Sequence, residues 1–520
     1  MASTPNHRSI DILTWPVIGR FLKWRHSRLA MQIPLALFAG WIIFDGLVGP
    51  QLAPKNLATV SVWLHYRGLV VLALLLAGNL FCMACPFMLP RRAGRWVREH
   101  LLRGGRPVPR VLRNKWIAVS LVILFFFVYE RYDLWATPWW TAWVALAYFT
   151  VALLVDTVFQ GAAFCKHVCP LGQFNFFGSL ASPLEIKIRD AQTCTNCRTK
   201  DCITAKPGPA RAEVLHAPIR VETLHATSLQ SKRGRDGRGC ELALFQERKA
   251  GNMDCTFCLD CIHACPYDNI GLIARTPTAE LWSDPWRSGI GRFSQRTDLA
   301  ALVTVLTFGA YLNAFAMIRP VYALQEGLGR LLKTASPTPG LLLIFAIGLL
   351  LLPAILLGAA SALTRSLAAL HAPLGEIARR YVWALVPMGF GMWLAHYAFH
   401  FLTGALTIVP VMQSFLADIG LYGGELRWDL GPIVPQGWLF PIEAALLYLG
   451  ATGSIIAAVR IAQSHLAGIR RQTGKLGGPN AALAAAGPWM LLTLLLLGFG
   501  IWILVQPMEM RGTMMMVTGG

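Results

Sequence analysis

The chain has 520 residues, of which 55% are hydrophobic and 14% charged, with a mean hydropathy of +0.49. That charge content is well below the ~25% usual in soluble domains, which excludes an ordinary soluble globular protein. The formal net charge of +20 does not point to nucleic acid, because the basic residues crowd beside apolar runs, as the positive-inside rule describes.

In chain order, residues 1–30 form a basic arm with Arg8, Arg20, Lys23, Arg25 and Arg28. No apolar core of a cleavable signal precedes the first long apolar run, so the arm is expected in the cytoplasm. Runs close to the ~20 residues that span a bilayer follow at about 31–50, 66–88, 117–136, 139–160, 299–318, 339–362, 383–404, 440–459 and 485–506. Starting inside, these nine spans leave 91–115, 161–297, 363–382 and 460–484 in the cytoplasm. Segment 91–115 holds nine Lys/Arg against one Glu, and segment 460–484 holds Arg460, Arg470, Arg471 and Lys475 without an acid. The loop 319–338 fits least well, since it would lie outside with Arg319, Arg330 and Lys333 against Glu326 alone. The chain thus divides into the arm, a four-helix membrane region at 31–164, a cytoplasmic segment at 165–297, a five-helix membrane region at 298–506 and a Met-rich tail at 507–520. It is expected in the inner (cytoplasmic) membrane, with lipid as a constant partner.

All 12 cysteines fall between Cys82 and Cys265. Cys255, Cys258, Cys261 and Cys265 are spaced C-x2-C-x2-C-x3-C and followed by proline. In that pattern three thiolates of one tight loop wrap a cubane cluster and the fourth reaches a neighbouring one, so a partner set is expected upstream. Cys194, Cys197 and Cys202 are spaced C-x2-C-x4-C, and Cys240 follows alone. The economical assignment is crosswise: Cys194, Cys197, Cys202 and Cys265 for one [4Fe–4S] cluster, and Cys240, Cys255, Cys258 and Cys261 for the other. Zinc knuckles and disulfides are the competing readings. Three cysteines in seven residues fit zinc poorly, and a reducing cytoplasm disfavours disulfides. The fold expected is therefore an all-α polytopic membrane protein carrying an inserted two-cluster ferredoxin-like α+β module.

A third set, Cys82 with Cys85 and Cys165 with Cys169, gives two pairs that each end in Cys-Pro where a span meets the cytoplasm. Four soft thiolates there can hold a third cluster or another metal centre, or act as a redox dithiol; small cysteines capping helices are the plainer alternative. Membrane helices, the C-x3-C-P-L-G segment at 165–172 and the twin-cluster cysteines together resemble the NapH/NosR-type membrane polyferredoxins, with the FixG/CcoG-type copper-oxidase assembly ferredoxins as similar relatives. The resemblance covers roughly residues 66–318. It implies cytoplasmic-face electron transfer coupled to the quinone pool or to a periplasmic metalloenzyme system. The first membrane motif departs from the family's C-x3-C-P by one residue.

The cysteine-free half lies outside that resemblance. His396 and His400 share one face of the seventh span, and Glu443 opens the eighth. Ionisable groups inside a membrane are costly and usually functional; a quinol headgroup, a haem and a metal are the readings weighed here, against a hydrogen-bonded helix pair. Met508, Met510, Met514, Met515 and Met516 offer thioethers that suit copper, unless the tail is simply a chain end. The leading function is an electron-transfer protein working with redox partner proteins and quinone, an oxidoreductase component without a substrate-converting site of its own. Copper-centre assembly and anchoring of a larger oxidoreductase are the alternatives.

Overall fold

The computed structural model describes residues 10–101, 106–204, 239–473 and 480–507. The principal helices are α1 (Ser27–Val48), α2 (Leu57–Ala77), α3 (Trp116–Arg131), α4 (Pro138–Val158), α5 (Thr297–Phe315), α6 (Thr338–Leu367), α7 (Val386–Gly404), α8 (Gln436–Thr473) and α9 (Ala481–Leu504). Among the described residues eight helical stretches are long and apolar enough to cross a membrane, one fewer than the sequence suggests. The difference is α3. Its 16 residues make about 24 Å at 1.5 Å per residue, short of the ~30 Å hydrocarbon core. Arg131 ends it, donating Nε to Thr338 Oγ1 at 2.7 Å.

The second span also moves. Expected at 66–88, it occupies Leu57–Ala77. Asn56 starts it by accepting from Ala58 N at 2.9 Å, a side-chain cap of the usual kind. Gly78 stops it with φ +64° and ψ −141°, a backbone conformation open chiefly to glycine. A Cβ at Gly78 would also meet the Phe257 ring at 2.8 Å. Cys82 and Cys85 are thereby placed beyond the span, on and just after a short helix at Leu80–Ala84. The ill-fitting loop at 319–338 contains a 13-residue helix, Arg319–Leu331, with Val321 buried. Its basic residues can snorkel from such an amphipathic helix.

The cysteine-rich segment sits at one end of the helices. Its two strands, β1 (Leu184–Ile188) and β2 (Ile270–Ala274), pair antiparallel with Ile186 opposite Leu272. The N-terminal arm joins them: Ala274 N donates to Ile10 O at 2.8 Å, and Leu272 N to Asp11 Oδ1 at 3.1 Å. Asp11 also pairs with Arg189 Nη2 at 2.7 Å, so the arm is part of this segment's packing. From the other side, α8 extends to about 57 Å by its 38 residues and packs on the short helix Ala279–Trp282.

Candidate metal centres

The sheet brings the first cysteines together. Cys194 follows β1 and Cys265 precedes β2, so antiparallel pairing sets the two stretches side by side. Asn269 fixes their approach. Its backbone N–H donates to Cys265 Sγ at 3.3 Å, and its Nδ2 donates to Cys194 Sγ at 3.3 Å and Asp190 O at 2.6 Å. Cys194, Cys197, Cys202 and Cys265 line one pocket, closed in part by Phe245 and Tyr267. Burial, followed by Cys265, Cys194 and Cys197, pushes the Cys202 thiol up to about 12.

The second group is built on backbone conformation. In the loop carrying Cys255, Cys258 and Cys261, Asp254, Phe257 and Leu259 take φ of 61°, 52° and 61°. Non-glycine residues seldom adopt the left-handed region, and they do so chiefly where function requires it. Such residues turn backbone N–H groups inward to form concavities that suit anions and iron–sulfur sites. Cys240 joins this loop from outside: burial and then Cys240, Cys258 and Cys255 hold the Cys261 thiol well above its ordinary range. The Cys240 N–H donates to Cys202 O at 2.8 Å, so the two groups adjoin.

The third group lies where α2 and α4 end. Cys165 lies in the turn Phe164–Val168 and Cys169 caps the helix Pro170–Ser179, accepting from Gly172 N at 3.1 Å. Cys165 Sγ approaches Met88 Sδ at 3.1 Å, and Cys82 Sγ accepts from Asn175 Nδ2 at 3.1 Å. Burial, with Cys85 next, pushes the Cys82 thiol up to about 12 and raises Cys169. The two Cys-Pro pairs are thus neighbours. Asn79 links them to the second group, donating Nδ2 to Cys255 O at 2.6 Å and to Ser179 Oγ at 3.2 Å.

Among the described residues no three His, Cys, Asp or Glu converge on a single-ion position. A cubane poses a different test, because four thiolates must stand apart around one inorganic core. A pocket walled by four cysteines and a loop with inward N–H groups suit that requirement. Burial favours the neutral form of the Cys82, Cys202 and Cys261 thiols, and a coordinated metal would reverse that by deprotonating its ligands outright.

Sequence reasoning missed the cations that serve these groups. Arg91 is buried between Asp156 and Glu241, at 2.6 and 2.7 Å, within electrostatic reach of Cys165 and Cys258. Arg28 pairs with Asp260 at 3.3 Å and also reaches Cys258. Lys115 pairs with Asp254 beside the Cys255 loop. The sequence counts all three only as inside-positive charge. Asp156 is the clue that was available, since an acid in an apolar run requires a partner.

On the cysteine-free side, His396 and His400 stand with ring centroids 4.8 Å apart on α7. Both nitrogens of His396, Nε2 of His400 and Oε1 of Glu443 on α8 have no hydrogen-bond partner among the described residues. The histidines and Glu443 therefore do not close into a hydrogen-bonded trio. Met508, Met510, Met514, Met515 and Met516 lie outside the described residues.

Comparison with known proteins agrees with this chemistry. The chain is 24% identical over 243 residues to the ferredoxin-type protein NapH of Haemophilus influenzae, a match covering 39% of this chain and 80% of that protein. It is 23% identical over 212 residues to the methylamine utilization ferredoxin-type protein MauN of Methylobacillus flagellatus, covering 38% of this chain and 71% of that one. These matches support the NapH-type polyferredoxin family, at modest identity. No family model matches the chain, and no solved structure does.

Proposed function

We propose that this chain is a membrane-bound iron–sulfur electron-transfer protein, relaying electrons between cytoplasmic-face [4Fe–4S] clusters and the quinone pool or a periplasmic metalloenzyme system. The observation that carries this reading is the crosswise grouping of the cysteines, which sets Cys265 beside Cys194 through Asn269 and Cys240 beside the Cys255–Cys261 loop. The ferredoxin-type names of both relatives point the same way. Cys194, Cys197, Cys202 and Cys265 would hold one cluster, and Cys240, Cys255, Cys258 and Cys261 a second. Cys82, Cys85, Cys165 and Cys169 would hold a third centre at the membrane face.

Bound clusters supply one-electron transfer at potentials set by net charge, hydrogen bonds and exposure. The chain contributes the environment. Asn269 and Asn175 donate to cysteine sulfurs. Arg28 and Arg91 offset negative charge near Cys258. Asn79 ties the end of α2 to the Cys255 loop, so that sulfur groups run continuously from the cysteine-rich segment to the membrane. The basic segments 91–115 and 460–484 favour the cytoplasm as the side on which these groups lie.

Protein prepared without oxygen should contain about eight irons with matching acid-labile sulfide for two cubanes, and about twelve if the Cys-Pro pairs hold a third. In Cys258→Ala the iron should fall by about four and one paramagnetic signal of the reduced protein should vanish, while the chain remains in the membrane. Colourless, iron-free protein, or a Cys258→Ala variant with iron and signals intact, would overturn the reading.

A further inference from the structure

A cavity of about 600 Å³ lies among α1 to α5 and Tyr397 of α7, with Pro86 and Pro170 of the two Cys-Pro loops also lining it. Its size is within the roughly 300–1,000 Å³ of small-molecule sites. The walls are almost wholly aliphatic and aromatic, which calls for an occupant with a long apolar body. The polar exceptions are few, and several of them have donors or acceptors to spare.

Arg67 is one of them. It is 7% exposed, near the middle of α2. Nη1 donates to Tyr129 OH at 2.9 Å, and the guanidinium is otherwise caged by the rings of Trp63, Tyr129 and Tyr397, at 4.6, 4.3 and 5.1 Å. Glu130 acts on it through space. Its remaining donors find no hydrogen-bond partner among the described residues, and a guanidinium has five in all. Ser61 Oγ, Tyr66 OH, Tyr148 OH and Asn313 Oδ1 line the same cavity, buried and unpartnered. Buried polar atoms are nearly always bonded, so five exceptions around one cavity mark a place where a ligand's oxygens are received. The Tyr66 ring packs on Phe81 at 4.8 Å, beside Cys82, which sets Tyr66 near the membrane-face cysteines.

We propose that the cavity binds an isoprenoid quinone, with ring carbonyl oxygens accepting from Arg67 and Tyr66 and the prenyl tail along the apolar wall. A phospholipid suits the site less well. Arg67 is near mid-span, and a phosphate brought to that depth is far costlier to desolvate than a neutral carbonyl. The proposal locates the quinone exchange of the preceding reading and rests on it for its redox meaning, although binding can be tested alone.

Purified protein in mild detergent should carry about one extractable quinone per chain. Arg67→Gln should bind decylubiquinone about tenfold more weakly or worse, the loss expected for one charge-assisted hydrogen bond. Ala145→Phe, which fills the cavity from α4, should lower quinone content as well, and covers the case in which Arg67→Gln fails to fold. Both variants should retain iron and the dithionite-reduced signals. Missing iron in the parent protein would count against the relay itself. Iron-replete protein that yields phospholipid but no quinone, or variants that bind decylubiquinone as tightly as the parent, would overturn the cavity assignment.

Discussion

The N-terminal and C-terminal membrane helices are written in similar apolar runs, yet they bury opposite chemistry. Around α1 to α4 the interior holds charge: Arg67 in its aromatic cage, Arg91 between two acids, and Lys115 on Asp254. Around α7 to α9 the interior is mainly close backbone contact and large rings, with His396, His400 and Glu443 buried among them and no ion pair joining the three. Gly391 lies against Gly450, and Trp383, Trp393 and Trp489 are fully buried. Burying ions costs free energy unless they are paired, whereas tight apolar packing carries no such cost. The C-terminal half packs on α2 and α5 through α7 and reaches the cysteine-rich segment through α8, the placement of a scaffold.

The largest effect expected from this contrast is at Lys115. Its ammonium pairs with Asp254 and also donates to Lys166 O, and both members of the pair are about 2–3% exposed. Lys115→Met would leave the Asp254 carboxylate buried without its cation, a loss of about 3–5 kcal/mol. Thermal unfolding should drop steeply, with iron lost from the cysteine-rich segment first. A variant as stable as the parent would mean that charge burial in this half carries little structural weight.

Gly391→Leu tests the other half. A Cβ there would stand 3.0 Å from Gly450 Cα and 3.2 Å from Leu446 O, both backbone atoms that cannot rotate away. Forcing α7 from α8 should cost about 3 kcal/mol, at the upper end of overpacking. The yield of folded protein in the membrane should fall while the iron per folded chain stays constant. Loss of iron at unchanged yield would break the scaffold reading.

How far the sequence discloses this contrast depends on the range of each interaction. Span positions and cysteine spacing are local, and they lead to the membrane fold and to three cysteine groups that prove to be neighbours. The shifted second span turns on one residue, Gly78, whose positive φ ends the helix before Cys82; in the hydropathy pattern it is just another small residue. The shortness of α3 follows from Arg131 and the positive φ of Asp133, again a matter of backbone rather than composition. Asn269 cannot be read as a thiolate partner before β1 and β2 are paired. The cavity is assembled from α1 to α5 together with α7, and no window along the chain contains it. His396 and His400 are visible as a pair, but only packing shows that neither bonds to Glu443.

The smallest effect expected is at Arg28, and it is the sharpest comparison between the halves. Its pair with Asp260 is partly exposed, at 13% and 15% for the two side chains, so Arg28→Gln should cost only about 1 kcal/mol. Its charge nevertheless lies within electrostatic reach of Cys258. Removing a positive charge near a thiolate-held centre stabilises the oxidised form relative to the more negative reduced form, so one midpoint potential should move downward in a redox titration. The control belongs to the exposed loop between α7 and α8. Arg427 pairs with Asp429 at 3.5 Å, with side chains 59% and 71% exposed, and Arg427→Gln should leave every potential unchanged. If the two variants shift the titration equally, charge placement does not distinguish the halves. If only Arg28→Gln shifts it, the N-terminal arm is part of the redox environment as well as a topological signal.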